Sequence, residues 1–302
     1  MTIRADRPYL ELRRVTAPGL VDVDLAWQLG EALAVIVDDD PAPLLDVLVG
    51  LHDEHAGMIV VAGEPRPGRA RRGLLRALPE DAPAMLDANG TIGELVGRSL
   101  REPDPAAVEL AIERVGLGHA HGERRAGNLS SSELNRAALA AVLVGAPPGI
   151  IVAEPFATLG AVDRASLLGT LAREHRERGL GLLLLTRSPA LAWTLSDRVA
   201  VLVAGRLVEL GPTEQVLLNP SHPATRDLVL AAGTLTDPAQ PPARHPPPLL
   251  VRNAGCIYAR ACSEARPRCA TDRPPLGAGP TPYQQVACWY PVGHREAGTR
   301  AD

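Results

Sequence analysis

Lysine is absent from the 302-residue chain, so all 31 of its basic residues are arginine, against 35 acidic residues. This near-neutral balance argues against a protein that coats nucleic acid. Aromatic residues make up only 3% of the chain. No apolar run approaches the roughly 20 residues that span a bilayer, because the longest, 137–153, is broken at 147–149 by Pro-Pro-Gly. The N-terminus also lacks an apolar stretch of signal-peptide length, so we expect a cytosolic chain.

Cysteine is absent from residues 1–255, and all four cysteines then follow within 33 residues. Six prolines between residues 236 and 248 precede them, which is typical of an extended linker. The composition therefore predicts a first domain at 1–235, a proline-rich linker at 236–255, and a separate cysteine-rich module with a tail at 256–302. We expect little secondary structure in that last module.

The first domain is rich enough in apolar residues to build a core, since 46% of the whole chain is hydrophobic. Short continuous apolar runs at 32–37, 149–153 and 182–186 are typical of buried strands. A helical period covers 163–178 and stops at Gly179, and residues 199–210 predict a hairpin that turns at Gly205. Alternating strands and helices indicate an α/β fold with a largely parallel sheet.

Four segments resemble, in chain order, motifs of the ATP-binding-cassette nucleotide-binding domain. They are LSSSE at 129–133 for LSGGQ, IIVAEPFATL at 150–159 for LLIADEPTSAL, DRVAVLVAGRLVELGP at 197–212 for DRVAVMYAGRIVEEGP, and NPSHPATR at 219–226 for NPRHPYTR. The last motif is similar to that of ATPase subunits of oligopeptide and dipeptide importers. The resemblance covers about residues 9–291 and implies a cassette of P-loop NTPase type with a small cysteine-rich C-terminal module.

The segment that matches the phosphate loop departs from the family pattern. That pattern, G-x-x-x-x-G-K-[ST], cradles phosphates with glycine amides and neutralises them with lysine. Here residues 37–45 read VDDDPAPLL, without glycine, lysine or hydroxyl. Pro41 and Pro43 have no N–H to donate, and three aspartates oppose a polyphosphate. The same letters are also typical of a surface turn.

Further positions that the resemblance makes catalytic have changed as well. Glu154 remains, but four other features of the pattern are lost: the magnesium aspartate (here Ala153), the D-loop aspartate (Gly160), the switch histidine (Arg187) and the magnesium-sensing glutamine (none at 84–87). No aromatic residue for adenine lies between Tyr9 and Trp27. These losses predict a chain that does not hydrolyse ATP alone and leave Glu154 as a residual candidate for catalysis.

Ser130, Ser131 and Ser132 occupy the signature position and have two interpretations. In one, Ser130 is the N-cap of a helix and Glu133 completes a capping box. In the other, implied by the resemblance, these serines and the free amides of the helix N-terminus bind ATP held by a partner subunit. The two interpretations are compatible.

Cys256, Cys262, Cys269 and Cys288 form the pattern C-x5-C-x6-C-x18-C. These spacings exceed those of the usual zinc knuckle, C-x2-C, whereas a 4Fe–4S cluster accepts thiolates from separate loops. The segment resembles the importer extension GCPFxxRCPxAxxxC followed by VAC, a set of cysteines that is associated with a 4Fe–4S cluster. Zinc, a disulfide and free thiols remain alternatives.

The resemblance implies a degenerate ATP-binding subunit of a peptide importer, peripheral on the cytoplasmic face of the membrane. Its expected partners are a competent cassette subunit, two membrane permease subunits and, indirectly, a substrate-binding protein, with no nucleic acid and with ATP only at the partner's site. The alternative is an iron–sulfur scaffold or regulator, outside transport, that keeps the cassette fold.

Overall fold

The computed structural model describes residues 8–233 and 254–292. Most of the predicted linker, residues 236–253, lies outside the described residues, as do 1–7 and the tail 293–302. The described strands are β1 Leu10–Ala17, β2 Leu20–Trp27, β3 Ala32–Val37, β4 Ala56–Val61, β5 Glu64–Pro65, β6 Arg76–Leu78, β7 Gly149–Ala153, β8 Gly181–Thr186, β9 Arg198–Val203, β10 Arg206–Pro212, β11 Gly277–Ala278 and β12 Gln285–Val286. The described α-helices are α1 Ala42–Val49, α2 Gly68–Arg71, α3 Ile92–Gly97, α4 Pro105–Arg114, α5 Ser131–Leu143, α6 Ala161–Arg178, α7 Pro189–Leu195, α8 Thr213–Leu218, α9 Pro223–Ala232 and α10 Pro267–Thr271.

The main sheet has the strand order β11-β12-β10-β9-β3-β8-β7-β6. Its central strands, β9, β3, β8, β7 and β6, are all parallel. A second sheet, β2-β1-β4-β5, is antiparallel. The α/β class and the predicted strands are therefore confirmed, and α6 ends as predicted at Gly179, which adopts a left-handed conformation with φ 63°.

Strand β3 shows how the main sheet separates two cores. All six of its residues are buried, and alternate residues point to opposite faces. Ala34 and Ile36 pack among the helices, chiefly α5, α6 and α7. Leu33 and Val35 pack against the antiparallel sheet and α1. A strand buried on both faces has no polar side to alternate with, which is why its sequence is continuously apolar.

The cysteine-bearing segment extends the main sheet instead of standing apart from the first domain. Strand β12 pairs with β10, and the Ala287 N–H donates to the Val208 carbonyl at 2.8 Å. The Tyr258 hydroxyl donates to Asp227 at 2.7 Å. The sequence predicts a separate module, because the two-residue strands β11 and β12 leave no periodic pattern that would reveal their pairing. The structure shows residues 254–292 packed on β10 and α9.

No helix in the two described ranges has both the length and the apolar character needed to cross a membrane.

Candidate functional site

The carboxyl ends of the parallel strands bring the candidate nucleotide residues together. In a parallel sheet these ends meet at one edge, where ligands of α/β proteins bind. The turn after β3, Glu154 after β7 and Arg187 after β8 all lie at this edge. Glu80 follows two residues after β6, the strand that pairs in parallel with β7. The sequence places the search for the magnesium-sensing residue at 84–87, of which Ala84 and Met85 belong to a 3-10 turn, so it does not single out Glu80.

The turn between β3 and α1 is closed by its own side chains. Asp38 accepts a hydrogen bond from the Ala204 N–H, with both carboxylate oxygens at 3.0 Å from the nitrogen. The Asp40 carboxylate accepts from the Ala42 N–H at 2.9 Å. Pro41 and Pro43 have no N–H, so the first turn of α1 offers no row of free amides to a phosphate. The segment forms the aspartate-proline turn that was the alternative interpretation.

Glu154 is buried, with 1% of its surface exposed, and its carboxylate is already bonded. One oxygen accepts from the Arg187 backbone N–H at 2.6 Å and from its Nε at 3.1 Å. The other accepts from the Thr186 hydroxyl at 3.2 Å. Arg187 stands where the resemblance implies the switch histidine. An ion pair therefore occupies the carboxylate that would otherwise polarise a water molecule.

We expect Arg187→Ala to lower the free energy of unfolding by about 2 kcal/mol, because hydrogen bonds to buried charged groups contribute roughly 1.5–3 kcal/mol. Urea denaturation measures the difference. Arg13→Ala is the matched control, since it breaks the solvent-exposed pair with Glu11 and should cost less than about 1 kcal/mol. An equal loss of unfolding free energy in the two variants would show that the Glu154–Arg187 pair stabilises the fold no more than an exposed ion pair does.

The signature serines begin helix α5, and the capping box is confirmed. The Ser130 hydroxyl accepts from the Glu133 N–H at 3.3 Å, and Glu133 accepts from the Ser130 N–H at 2.8 Å. Arg124 and His121 contact the same carboxylate at 2.8 and 3.1 Å. The hydrogen bonds from Ser130, then those from Arg124 and His121, lower the pKa of Glu133 to about 2. Ser130 and Ser131 are exposed and Ser132 is half-buried.

The capping box predicts a pH-dependent effect of Glu133→Gln. The pKa of Glu133 is lower in the folded chain than the unfolded value of about 4.3, so its charge stabilises the fold above that pH. We expect the variant to lose about 1 kcal/mol at pH 7, and the difference from wild type to vanish as pH falls from about 4.5 to 2. Denaturation at several pH values tests this, with exposed Glu123→Gln as the control. A difference constant across that range would contradict the assignment.

The four cysteines line one cavity, together with His222. None forms a disulfide; Cys269 is buried and the others are half-buried. Burial raises the pKa of Cys256 and Cys262, and that of Cys288 to about 11. Within the part of the chain that the structure describes, no three His, Cys, Asp or Glu side chains are arranged to hold a metal ion. Four thiols at one cavity nevertheless have the donor chemistry of a cluster site.

A buried polar group beside this cavity was not identified from the sequence. Glu209 accepts from the N–H groups of Ser221 and His222 at 2.8 and 2.9 Å, and from the Gln284 amide at 2.7 Å. Burial raises the pKa of Glu209 and lowers that of His222 to about 4. The motif at 219–226 was the available signal, since it contains the two backbone donors.

Comparison with known proteins adds independent evidence on the family. The family described as oligopeptide/dipeptide transporter, C-terminal region, matches residues 208–269. A protein of Brucella abortus (strain 2308) named as a peptide import ATP-binding protein is 30% identical over 299 residues, covering 85% of this chain and 87% of that protein. The oligopeptide transport ATP-binding protein OppF of Escherichia coli (strain K12) is 28% identical over 287 residues, covering 84% and 83%.

A solved structure supports the fold. The ATP-binding cassette MJ0796, a dimer bound to ADP and Pi, matches with a TM-score of 0.59 at 16% identity, over 68% of this chain and 98% of that one. These similarities agree with the strand order of the main sheet and with the positions of the motifs in the fold. The chain therefore belongs to the ATP-binding-cassette family of peptide import ATP-binding proteins.

Proposed function

We propose that the chain is a catalytically degenerate ATP-binding subunit of a peptide importer, which pairs with a competent cassette subunit to energise transport. The closed turn between β3 and α1 carries this proposal. It places carboxylates and prolines where phosphate would need free amides and a cation. The family membership supplies the setting, since relatives are named as peptide import ATP-binding proteins.

Helix α5 is the element that such a chain can still offer to a partner. Its N-terminus carries the positive end of the helix dipole, which favours an anion. Ser130 and Ser131 are exposed there, although the Ser130 hydroxyl is bonded to Glu133. We therefore assign the contact with the partner's ATP to the Ser131 and Ser132 amides and side chains, with Ser130 holding the helix end. A cassette solved as a dimer supports pairing.

The remaining partners in this proposal follow from the transport role. The heterodimer would dock on two membrane permease subunits at the cytoplasmic face, and these would receive peptide from a substrate-binding protein. ATP would bind only at the site whose phosphate loop the competent subunit supplies. Glu154 takes no part in hydrolysis in this proposal, because Arg187 and Thr186 occupy its carboxylate.

We also propose that Cys256, Cys262, Cys269 and Cys288 hold a 4Fe–4S cluster. Their position around one cavity without disulfides supports this assignment. When bound, the cluster cross-links four chain segments and can carry one electron. The thiols would bind as thiolates, so cluster assembly must release their protons. Zinc is the other metal that four thiolates commonly hold.

A second candidate function is an iron–sulfur scaffold or regulator outside transport. The observation in its favour is that the nucleotide residues are replaced while four cysteines stay at one cavity. Such a protein would need no cassette partner. Purification of the chain from its own cell membrane separates the two functions, because only an importer subunit would copurify with permease subunits and a second cassette.

The test of the main proposal is coexpression with a peptide-importer cassette that has an intact phosphate loop. We expect ATP hydrolysis by the pair and little by either subunit alone. Replacing the partner's phosphate-loop lysine by alanine should abolish hydrolysis, whereas Glu154→Gln in this chain should leave it nearly unchanged. Equal hydrolysis and transport by the partner without this chain would refute the pairing.

A further inference from the structure

His222 is fixed at the start of helix α9 by its backbone and by one ring nitrogen. It is the N-cap of that helix, and its Nδ1 accepts a hydrogen bond from the Ala224 N–H at 3.0 Å. A ring nitrogen that accepts a hydrogen bond carries no proton. The proton of the neutral imidazole is therefore on Nε2, which makes Nε2–H a donor.

That donor has no acceptor in the described protein. His222 is only 1% exposed, and its Nε2 is buried without a hydrogen-bond partner. A buried donor without a partner costs about 1–3 kcal/mol, so such groups call for an explanation. His222 is one of the residues that line the cavity shared by the four cysteines.

The ring and the cysteines are held in place by common contacts. The buried carboxylate of Glu209 accepts from the His222 N–H at 2.9 Å and from the Gln284 amide at 2.7 Å. Gln284 directly precedes β12, and Cys288 follows two residues after that strand. The same carboxylate thus ties the histidine segment to the segment that presents Cys288. An acceptor held between the cysteines would therefore lie in a cavity that this fixed histidine also lines.

We propose that His222 donates a hydrogen bond from Nε2 to a sulfur atom of the iron–sulfur cluster held by Cys256, Cys262, Cys269 and Cys288. The inference rests on the proposed cluster and adds a positioning residue outside its ligand set. Hydrogen bonds to cluster sulfurs stabilise the more negative, reduced state and so raise the reduction potential. They also account for the buried, unpaired Nε2.

Two substitutions separate the donor from the helix cap. In His222→Asn, the side-chain oxygen can replace Nδ1 as acceptor for the Ala224 N–H, but the donor at Nε2 is lost. In His222→Gln, the terminal NH2 can reach the position of Nε2, but the cap is weakened. A purely structural role would make both variants behave alike or would make Gln the worse one.

The experiment begins with iron and zinc analysis of the anaerobically purified wild-type chain. It continues with redox titration of the wild type and both variants, followed by visible absorbance. We expect the ratio of reduced to oxidised cluster at a fixed potential to fall three- to tenfold in His222→Asn, tenfold being about 59 mV for one electron. His222→Gln should stay close to wild type. If a variant purifies without iron, the test uses the wild type instead. Pulsed EPR of the reduced wild type labelled with 15N-histidine should then show histidine nitrogen coupled to the cluster.

The outcomes distinguish this inference from the cluster proposal. Wild-type protein without iron, or with zinc instead, overturns both. An iron–sulfur cluster whose potential is the same in wild type and His222→Asn overturns the role of His222 alone. Equal shifts in both variants also overturn it, because they would reflect packing of the ring. Absence of histidine nitrogen coupling in the wild type leads to the same conclusion.

Discussion

The purified chain is expected to show no measurable affinity for Mg-ATP in calorimetry at concentrations up to about 1 mM, which corresponds to less than roughly 4 kcal/mol of binding free energy. A competent cassette with a dissociation constant near 1 μM gains about 8 kcal/mol. The expected loss is therefore at least about half of the binding free energy. Two separate features of the β3–α1 turn cause it.

The first feature is the absence of donors. The Ala42 N–H is bonded to Asp40, and Pro41 and Pro43 have none, so these three residues cannot replace the hydrogen bonds that phosphate oxygens would lose on leaving water. The second is charge. A carboxylate about 4 Å from a phosphate oxygen costs on the order of 4 kcal/mol at an effective dielectric near 20. The chain also has no lysine that could offset it.

Asp39→Asn combined with Asp40→Asn separates the two causes. Both side chains are exposed, so the double variant should fold. We expect it to remain without measurable affinity, because the prolines and the short turn are unchanged. Gain of binding by this variant would show that charge alone excludes the nucleotide. A micromolar dissociation constant for the wild-type chain would contradict the assignment of this subunit as degenerate.

The central strands and the hairpin were predictable from the sequence because their signals are local. Residues 32–37 and 149–153 are apolar throughout, and burial on both faces requires that pattern. Gly205 marks the hairpin turn, where φ is 75°. The position of the signature at the start of α5 also followed from one short motif, since a capping box is complete within four residues.

The pairing of distant residues could not be predicted in this way. Glu154 and Arg187 are 33 residues apart, and only the adjacent ends of β7 and β8 bring them together. The sequence identifies Arg187 as the residue that replaces the switch histidine, but it does not identify Arg187 as the partner of Glu154. Strand β12 has two residues, too few for a periodic pattern, so its addition to the sheet depends on tertiary contacts such as the Gln284–Glu209 hydrogen bond.

The second large effect is expected from substitution of the four cysteines. Anaerobically purified chain is expected to be brown, with about four irons per chain, as a cube bound by four thiolates requires. Replacing any one of the four cysteines by serine should remove most of the iron and the visible absorbance. Ala261→Ser is the matched control, because it adds the same hydroxyl at an exposed position next to Cys262. It should retain the full iron content.

Loss of the cluster should also loosen residues 254–292, which have few buried apolar side chains of their own: Cys269, Pro274, Val286 and Ala287. Amide hydrogen exchange should rise in this segment and at β10, because β12, the strand that pairs with β10, lies two residues before Cys288. The centre of the sheet, β3, β7 and β8, should keep its protection, since its two cores do not include the cysteines. One zinc per chain without iron would show that the cysteines hold zinc and not a cluster. Metal-free protein with four alkylatable thiols would refute both assignments. Unchanged exchange at β10 in the Cys288→Ser variant would mean that the sheet extension is stable without metal.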